Sequence, residues 1–296
     1  MRVIFRADAS TAMGSGHVMR CLALAAEVRR AGATVEFIHR QQAGDLAEYI
    51  SRAGGYRVHA IHQDSDPEVD ASISAEAVAG DGKPAWMVVD HYELGSRWEV
   101  AIRPHVERLM VIDDLADAPH DCDALLNQNL LEDTNVYDGL LPGASLRLIG
   151  PRYALLRPEF RIQRDRMLTK PGGVRRILVS FGGTDPTGET GKFLRQLRES
   201  EFHGKVEVDC VVGQGVSDLP GLRLLCGDMT GVYLHVQTQE MARLMSLADI
   251  CVGAGGATTW ERLCVGLPTL AVAVAANQVR SCELLSERGY CFYLGY

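Results

Sequence analysis

A chain of 296 residues exceeds what one hydrophobic core usually organises, so two domains of roughly 150 residues each are expected, and 47% hydrophobic with 23% charged residues is the composition of a folded globular protein. The net charge of −8 and the pI of about 5.6 argue against nucleic acid as a partner, because neutralising phosphates needs a concentrated basic surface, and the basic residues here are scattered in pairs such as Arg29-Arg30 and Arg175-Arg176. Met1-Arg2-Val3-Ile4-Phe5-Arg6 reads as a strand with no signal-peptide core behind it, and no stretch approaches the roughly 18 apolar residues of a membrane span, so a cytoplasmic protein without membrane insertion is expected.

In chain order, short apolar runs alternate with segments of helical period, the pattern of parallel sheets with crossover helices. Residues 2–6 form a predicted strand, 12–16 a small-residue loop and 17–31 a helix, in which Val18, Cys21, Leu22, Ala25 and Val28 share one face and Gly32 marks the stop. Strands follow at 34–39, 57–61, 86–90, 108–112 and 124–127, with helices between the earlier ones. The acidic stretch at residues 64–68 reads as a solvated loop. From 127 to 170 the pattern loosens and Pro142, Pro151 and Pro158 appear, which places the domain junction there, with domains at 1–150 and 151–296.

A second series then begins: strand 175–181, loop 182–188, helix 189–199, strands 206–212 and 223–226, helix 239–248, strand 250–252, loop 253–256, helix 257–265, strand 269–272, helix 277–288 and a strand at 291–294. The expected fold is therefore α/β, two Rossmann-like doubly wound parallel sheets in tandem with an interdomain cleft. Eight widely spaced cysteines, never in C-x-x-C, lie in apolar segments and read as free thiols of a reducing compartment.

In such sheets ligands bind beyond the C-terminal strand ends. The loop Gly14-Ser15-Gly16-His17 presents backbone N–H groups at a helix start, where the dipole favours an anion, and His17 there fits either a general base or a hydrogen-bonded histidine without chemistry. A dinucleotide fingerprint fails on its third glycine, which is Met19. Ser180-Phe181-Gly182-Gly183-Thr184-Asp185 and Gly253-Ala254-Gly255-Gly256-Ala257-Thr258-Thr259-Trp260-Glu261 are two further anion-ready loops. A diphosphate bridging both domains would account for all three. Glu261 suits a ribose or the helix dipole, Asn277-Gln278 a sugar or a cap, and Asp90-His91-Tyr92 and Asp113-Asp114 stand at strand ends where they suit a site or a cap. No metal-ligand spacing, G-x-S-x-G or P-loop occurs, and neither metal nor cofactor is expected.

Arg6-Ala7-Asp8-Ala9-Ser10, Met13-Gly14-Ser15-Gly16-His17 with Arg20, Asp90-His91-Tyr92, Asp113-Asp114, His120-Asp121-Cys122-Asp123, Tyr153-Ala154-Leu155-Leu156-Arg157-Pro158-Glu159-Phe160, Gly182-Gly183-Thr184-Asp185 and Asn277-Gln278 together resemble the UDP-2,4-diacetamido-2,4,6-trideoxy-β-L-altropyranose hydrolases of pseudaminic acid biosynthesis, over essentially the whole chain. The resemblance implies a glycosyltransferase-B-like fold and metal-independent water attack at the anomeric carbon of a UDP-sugar, with inversion. It implies His17 as general base, Tyr92 and Asn277 as assisting groups around the sugar, Glu261 on the ribose, and the loops at Gly14, Ser15 and Gly16, at Gly182 and Gly183, and at Gly255 and Gly256 around the diphosphate. Arg20, Asp90, Asp185, Ala257, Thr258 and Gln278 join the expected substrate-binding set. Chains of this fold commonly close with a helix crossing back over the first domain, whereas this sequence ends at Tyr296 after a predicted strand. A transferase with an acceptor in place of water, and a non-catalytic nucleotide-sugar-binding protein, are the rival functions.

Overall fold

The computed structural model describes residues 1–10, 13–62, 66–166 and 172–296. Ala12 of the first predicted loop, Asp64 and Ser65 of the acidic stretch and Lys170 lie outside the described residues. The chain divides into two compact units, Met1–Leu155 and Leu156–Tyr296.

In the first unit, among the described residues, β1 (Arg2–Ala7), β2 (Thr34–Arg40), β3 (Arg57–Ile61), β4 (Trp86–Asp90), β5 (Leu109–Ile112), β6 (Ala124–Asn127) and β7 (Leu146–Ile149) form one sheet of order β3-β2-β1-β4-β5-β6-β7. All its pairings are parallel. Helices α1 (Gly16–Arg30), α2 (Ala47–Gly54), α3 (Pro67–Val78) and α4 (Ser96–Ile102) connect the earlier strands. Alternation along β1 splits the core between two faces: Val3 and Phe5 pack with Val18, Cys21 and Ala25 of α1, and Ile4 with Ala71 of α3 and Trp98 of α4. Arg6 follows Ile4 by two residues and so faces α3, fully buried.

That burial is compensated by ion pairs. Arg6 donates to Asp8 (Nη1–Oδ1 2.5 Å) and to Asp70 of α3 (Nη2–Oδ2 2.8 Å), and the Arg40 guanidinium also donates to Asp70 at 2.9 Å. Trp98 Nε1 and Ser74 Oγ complete the Asp70 shell at 2.8 and 3.3 Å. Desolvation opposes ionisation of both carboxyls, yet His91 and Arg6 hold Asp8, and Arg6 and Arg40 hold Asp70, below the usual carboxylate range.

In the second unit α5 (Pro158–Arg166) precedes β8 (Arg176–Ser180), α6 (Glu189–Glu199), β9 (Glu207–Val212), α7 (Leu219–Gly227), β10 (Val232–Val236), α8 (Met241–Leu247), β11 (Ile250–Ala254), α9 (Thr258–Cys264), β12 (Thr269–Val272), α10 (Ala276–Glu287) and β13 (Phe292–Tyr293). The sheet order is β10-β9-β8-β11-β12-β13. Its pairings too are all parallel.

Three expectations change. The strand predicted at 223–226 is the end of helix α7: Asp218 caps Gly221 N at 2.9 Å, Pro220 opens the first turn, and Leu222 and Cys226 are buried one helical turn apart. The acidic stretch is not loop to its end, because Asp66 accepts from Glu68 N and Val69 N at 3.1 Å and caps α3, with Pro67 in first position. The loosely patterned region holds β7 and α5; β7 is half-exposed on both faces and shows no alternation to read. All eight cysteines are free thiols, six of them buried.

Candidate active site

In the first sheet β1 and β4 are neighbours and the chain leaves them in opposite directions, which makes the space beyond their C-terminal ends the topological switch point. The loop after β1 turns back on itself through Gly14 N–H to Ser10 O at 2.8 Å, with Gly14 at φ +80°, a conformation that disfavours a side chain. Helix α1 then begins at Gly16 and sets His17 in its first turn, facing the end of β4.

There the His17 ring meets Asp90, with Nδ1 at 2.6 Å from Oδ1. Burial pushes the Asp90 carboxyl up, but Arg20 and His17 outweigh it and hold it well below the usual range. An ionised carboxylate at that distance accepts a proton from Nδ1, which leaves Nε2 as the basic nitrogen. The ring is 5% exposed, with Tyr92 edge-on at a centroid distance of 4.6 Å. The side chain keeps 6% exposure, and Nε2 has no partner among the described residues.

Arg20, one turn along α1, grips both oxygens of Asp90 at 2.6 Å and reaches Asp114 beyond β5 at 2.8 Å. Asp114 also accepts from Tyr92 Oη at 3.2 Å and Asn129 Nδ2 at 2.7 Å. The Tyr92 hydroxyl is pushed up by burial and by Asp114, and remains a protonated donor at neutral pH. His91, between Asp90 and Tyr92, lies 3.3 Å from Asp8 through Nε2 while its Nδ1 accepts from Glu93 N at 3.0 Å, so the loop carrying the site residues is tied to the end of β1. Asp113 turns inward to Leu115 N, Ala116 N and Tyr137 Oη. His120 and Asp121 N bind Glu99, at 2.7 and 2.6 Å, and so serve the fold.

The second sheet has its own switch point between β8 and β11, and both remaining glycine loops stand there. Gly183 O accepts from Gly213 N at 2.9 Å, and a Cβ on Gly213 would fall 2.4 Å from that oxygen. Gln278 Oε1 accepts from Val274 N at 3.0 Å, which seats its amide beside Gly255 and Gly256. Ala257 is exposed and Thr258 half-buried at the start of α9. Asn277 is exposed in the first turn of α10 and makes no cap: the cap residue, Ala275, has no side-chain bond.

Glu261 pairs with Arg157 at 3.2 Å; burial raises its carboxyl and Arg157 works against that rise. Asp185 departs from its expected substrate contact. It is fully buried, and its two oxygens accept Glu189 N and Thr190 N at 2.9 Å, so the carboxylate is consumed in starting α6. Asp114, which the sequence left between a site and a cap, holds Arg20, Tyr92 and Asn129, and Arg157, quoted in the motif without a role, holds Glu261. Among the described residues no three His, Cys, Asp or Glu side chains gather as metal ligands would.

No protein-family model matches the chain. It is 24% identical over 290 residues to the UDP-2,4-diacetamido-2,4,6-trideoxy-beta-L-altropyranose hydrolase of Campylobacter jejuni, across 98% of each chain. The resemblance to that hydrolase runs end to end. Among solved structures the chain is similar to MurG of Acinetobacter baumannii, with a TM-score of 0.62 at 14% identity, covering 99% of this chain and 86% of that one. The glycosyltransferase SnogD from Streptomyces nogalater matches with a TM-score of 0.59 at 17% identity, covering 100% and 86%. The fold is therefore glycosyltransferase-B-like, as expected from the sequence. Among the described residues no helix is long and apolar enough to cross a membrane.

Proposed function

We propose that the protein is a nucleotide-sugar hydrolase that splits UDP-2,4-diacetamido-2,4,6-trideoxy-β-L-altropyranose into UDP and the free sugar. The observation that carries this reading is the Asp90–His17 pair at the first switch point, with Nδ1 committed to the carboxylate and Nε2 left basic. Nε2 takes a proton from water as the oxygen attacks the anomeric carbon; the bond to the diphosphate oxygen breaks on the opposite face, and UDP departs with the electron pair. Asp90 stabilises the imidazolium that forms. Backbone N–H groups at the glycine loops absorb charge on the departing diphosphate, so no general acid is required. Tyr92 and Asn277 assist at the sugar, and Glu261 accepts from the ribose. Neither metal nor cofactor takes part in this scheme, and turnover is expected to survive EDTA.

The test is incubation of the protein with UDP-diacetamido-trideoxyhexoses and with UDP-N-acetylglucosamine, without acceptor, followed by proton NMR. Equimolar UDP and free sugar with inverted anomeric configuration is the expected result. Consumption of UDP-N-acetylglucosamine alone would overturn the substrate, and turnover only with an added acceptor would make the protein a transferase. Glu261→Gln, which removes the ionised acceptor, is expected to weaken UDP and uridine binding alike by about tenfold; calorimetric titration of both ligands measures it.

A further inference from the structure

Of the two aspartates beyond β5, Asp113 does what a turn requires and Asp114 does not. Asp113 accepts Leu115 N and Ala116 N at 3.1 and 2.8 Å and Tyr137 Oη at 2.7 Å, whereas no backbone N–H among the described residues donates to Asp114. Its partners are all side chains: Arg20 Nη1 at 2.9 Å from Oδ1 and 2.8 Å from Oδ2, Tyr92 Oη at 3.2 Å, and Asn129 Nδ2 at 2.7 Å. Asn129 is itself anchored. Its backbone N–H donates to Asn127 Oδ1 at 2.9 Å, and Asn127, fully buried at the end of β6, donates from Nδ2 to Tyr137 Oη at 2.9 Å.

These contacts close a circuit around the histidine. His17 Nδ1 bonds Asp90, Asp90 holds Arg20, Arg20 reaches Asp114, Asp114 takes the Tyr92 hydroxyl, and the Tyr92 ring returns to His17 edge-on at an interplanar angle of 81°. Two carboxylates therefore share one guanidinium. Burial works against the Arg20 charge, and Asp90 and Asp114 outweigh it. With the imidazole neutral this cluster carries one net negative charge and with the imidazolium none, so the second carboxylate offsets the charge that the ring gains on taking a proton. Tyr92 is 45% exposed, and Asp114 is the one hydrogen-bond partner of its hydroxyl among the described residues, so that bond fixes where the ring stands. We propose that Asp114 is a positioning residue for the base, holding Arg20 and Tyr92 about His17 and supplying the second negative charge, with Asn129 as the anchor that keeps it there. This inference rests on the nucleotide-sugar reading and adds two residues to it.

The test measures single-turnover rates with the UDP-diacetamido-trideoxyhexose, UDP dissociation constants and melting temperatures, with Asp114→Asn and Asn129→Ala each made alone and in a His17→Ala background. Imidazole proton signals of the ligand-free proteins are recorded beside them. Asp114→Asn is expected to slow turnover by about 10- to 100-fold and to leave the UDP dissociation constant within about twofold of the wild type. In the His17→Ala background the same substitution is expected to change the rate by less than about threefold, because its effect passes through the histidine. Asn129→Ala is expected to slow turnover by about 3- to 10-fold, and it carries the test should Asp114→Asn not fold. The His17 Nδ1 proton, identified by its absence in His17→Ala, is expected to move upfield in Asp114→Asn, since Arg20 then neutralises Asp90 alone and weakens its bond to the ring. A merely structural aspartate would lower the melting temperature and the UDP affinity, leave that proton unmoved and slow both backgrounds alike. An unchanged rate, or losses that multiply with that of His17→Ala, overturns the proposal. A wild type that hydrolyses no UDP-sugar would instead remove the nucleotide-sugar reading, and the proton signal would still decide whether Asp114 acts on His17, no shift overturning it.

Discussion

His17→Ala slows turnover of the UDP-sugar by about 10²–10⁴-fold and leaves UDP affinity within about twofold, because the base acts in the transition state and contributes little to ground-state binding. The expectation depends on the tautomer. Asp90 holds Nδ1 at 2.6 Å and is itself held by Arg20 on both oxygens, so the basic nitrogen is Nε2, the one the carboxylate does not hold. Asp90→Asn is expected to slow the reaction comparably, since an amide can offer its NH2 to Nδ1 and drive the proton onto Nε2. Single-turnover rates by NMR beside calorimetric UDP titrations separate chemistry from binding. A His17→Ala protein that keeps its rate would remove the mechanism.

Asp70→Ala is expected to destabilise the first unit by about 3–5 kcal/mol, the usual cost of breaking a buried ion pair from one side, and to lower its melting temperature by roughly 6–20 °C. Arg6, Arg40, Trp98 Nε1 and Ser74 Oγ all donate to that carboxylate, and Arg6 is fully buried. Asp8, faced by Arg6, His91, His39 and Arg40, and Asp70 both have carboxyls depressed in the folded state. Their stabilisation is therefore fully present above the unfolded carboxylate value near pH 4 and is lost as pH falls below it through the depressed folded values. Denaturant titrations of the wild type should show stability declining below about pH 4, with a shallower decline in Asp70→Ala. Equal acid slopes in the two proteins would contradict this account.

Burial of Arg6 also ties the fold to the site. The same Asp8 that answers Arg6 lies 3.3 Å from His91 Nε2, and His91 stands between Asp90 and Tyr92. A charge placed in the interior of a strand thus fixes the loop that aims the carboxylate at His17.

Much of this was legible from the residues alone, because local physics wrote it. Apolar runs covered on both faces mark parallel strands, the glycine loops mark βα turns, and His17 stands where a helix must begin. That period and turn chemistry suffice to name two doubly wound sheets, and with them the strand ends where a site belongs. They misread residues 223–226, because a short apolar run fits a strand and a helix equally until Asp218 and Pro220 set the helix start.

What only the tertiary structure decided is pairing between distant charges. Asp90 fits a cap or a site by its position in the sequence; Arg20 and His17, 70 and 73 residues away, make it an orienting carboxylate. Asp185, in the loop beyond β8, carries the same residue type, yet its oxygens are spent on two backbone N–H groups. A side chain's chemistry depends on which partners reach it through space, and strand order, not sequence neighbourhood, determines that.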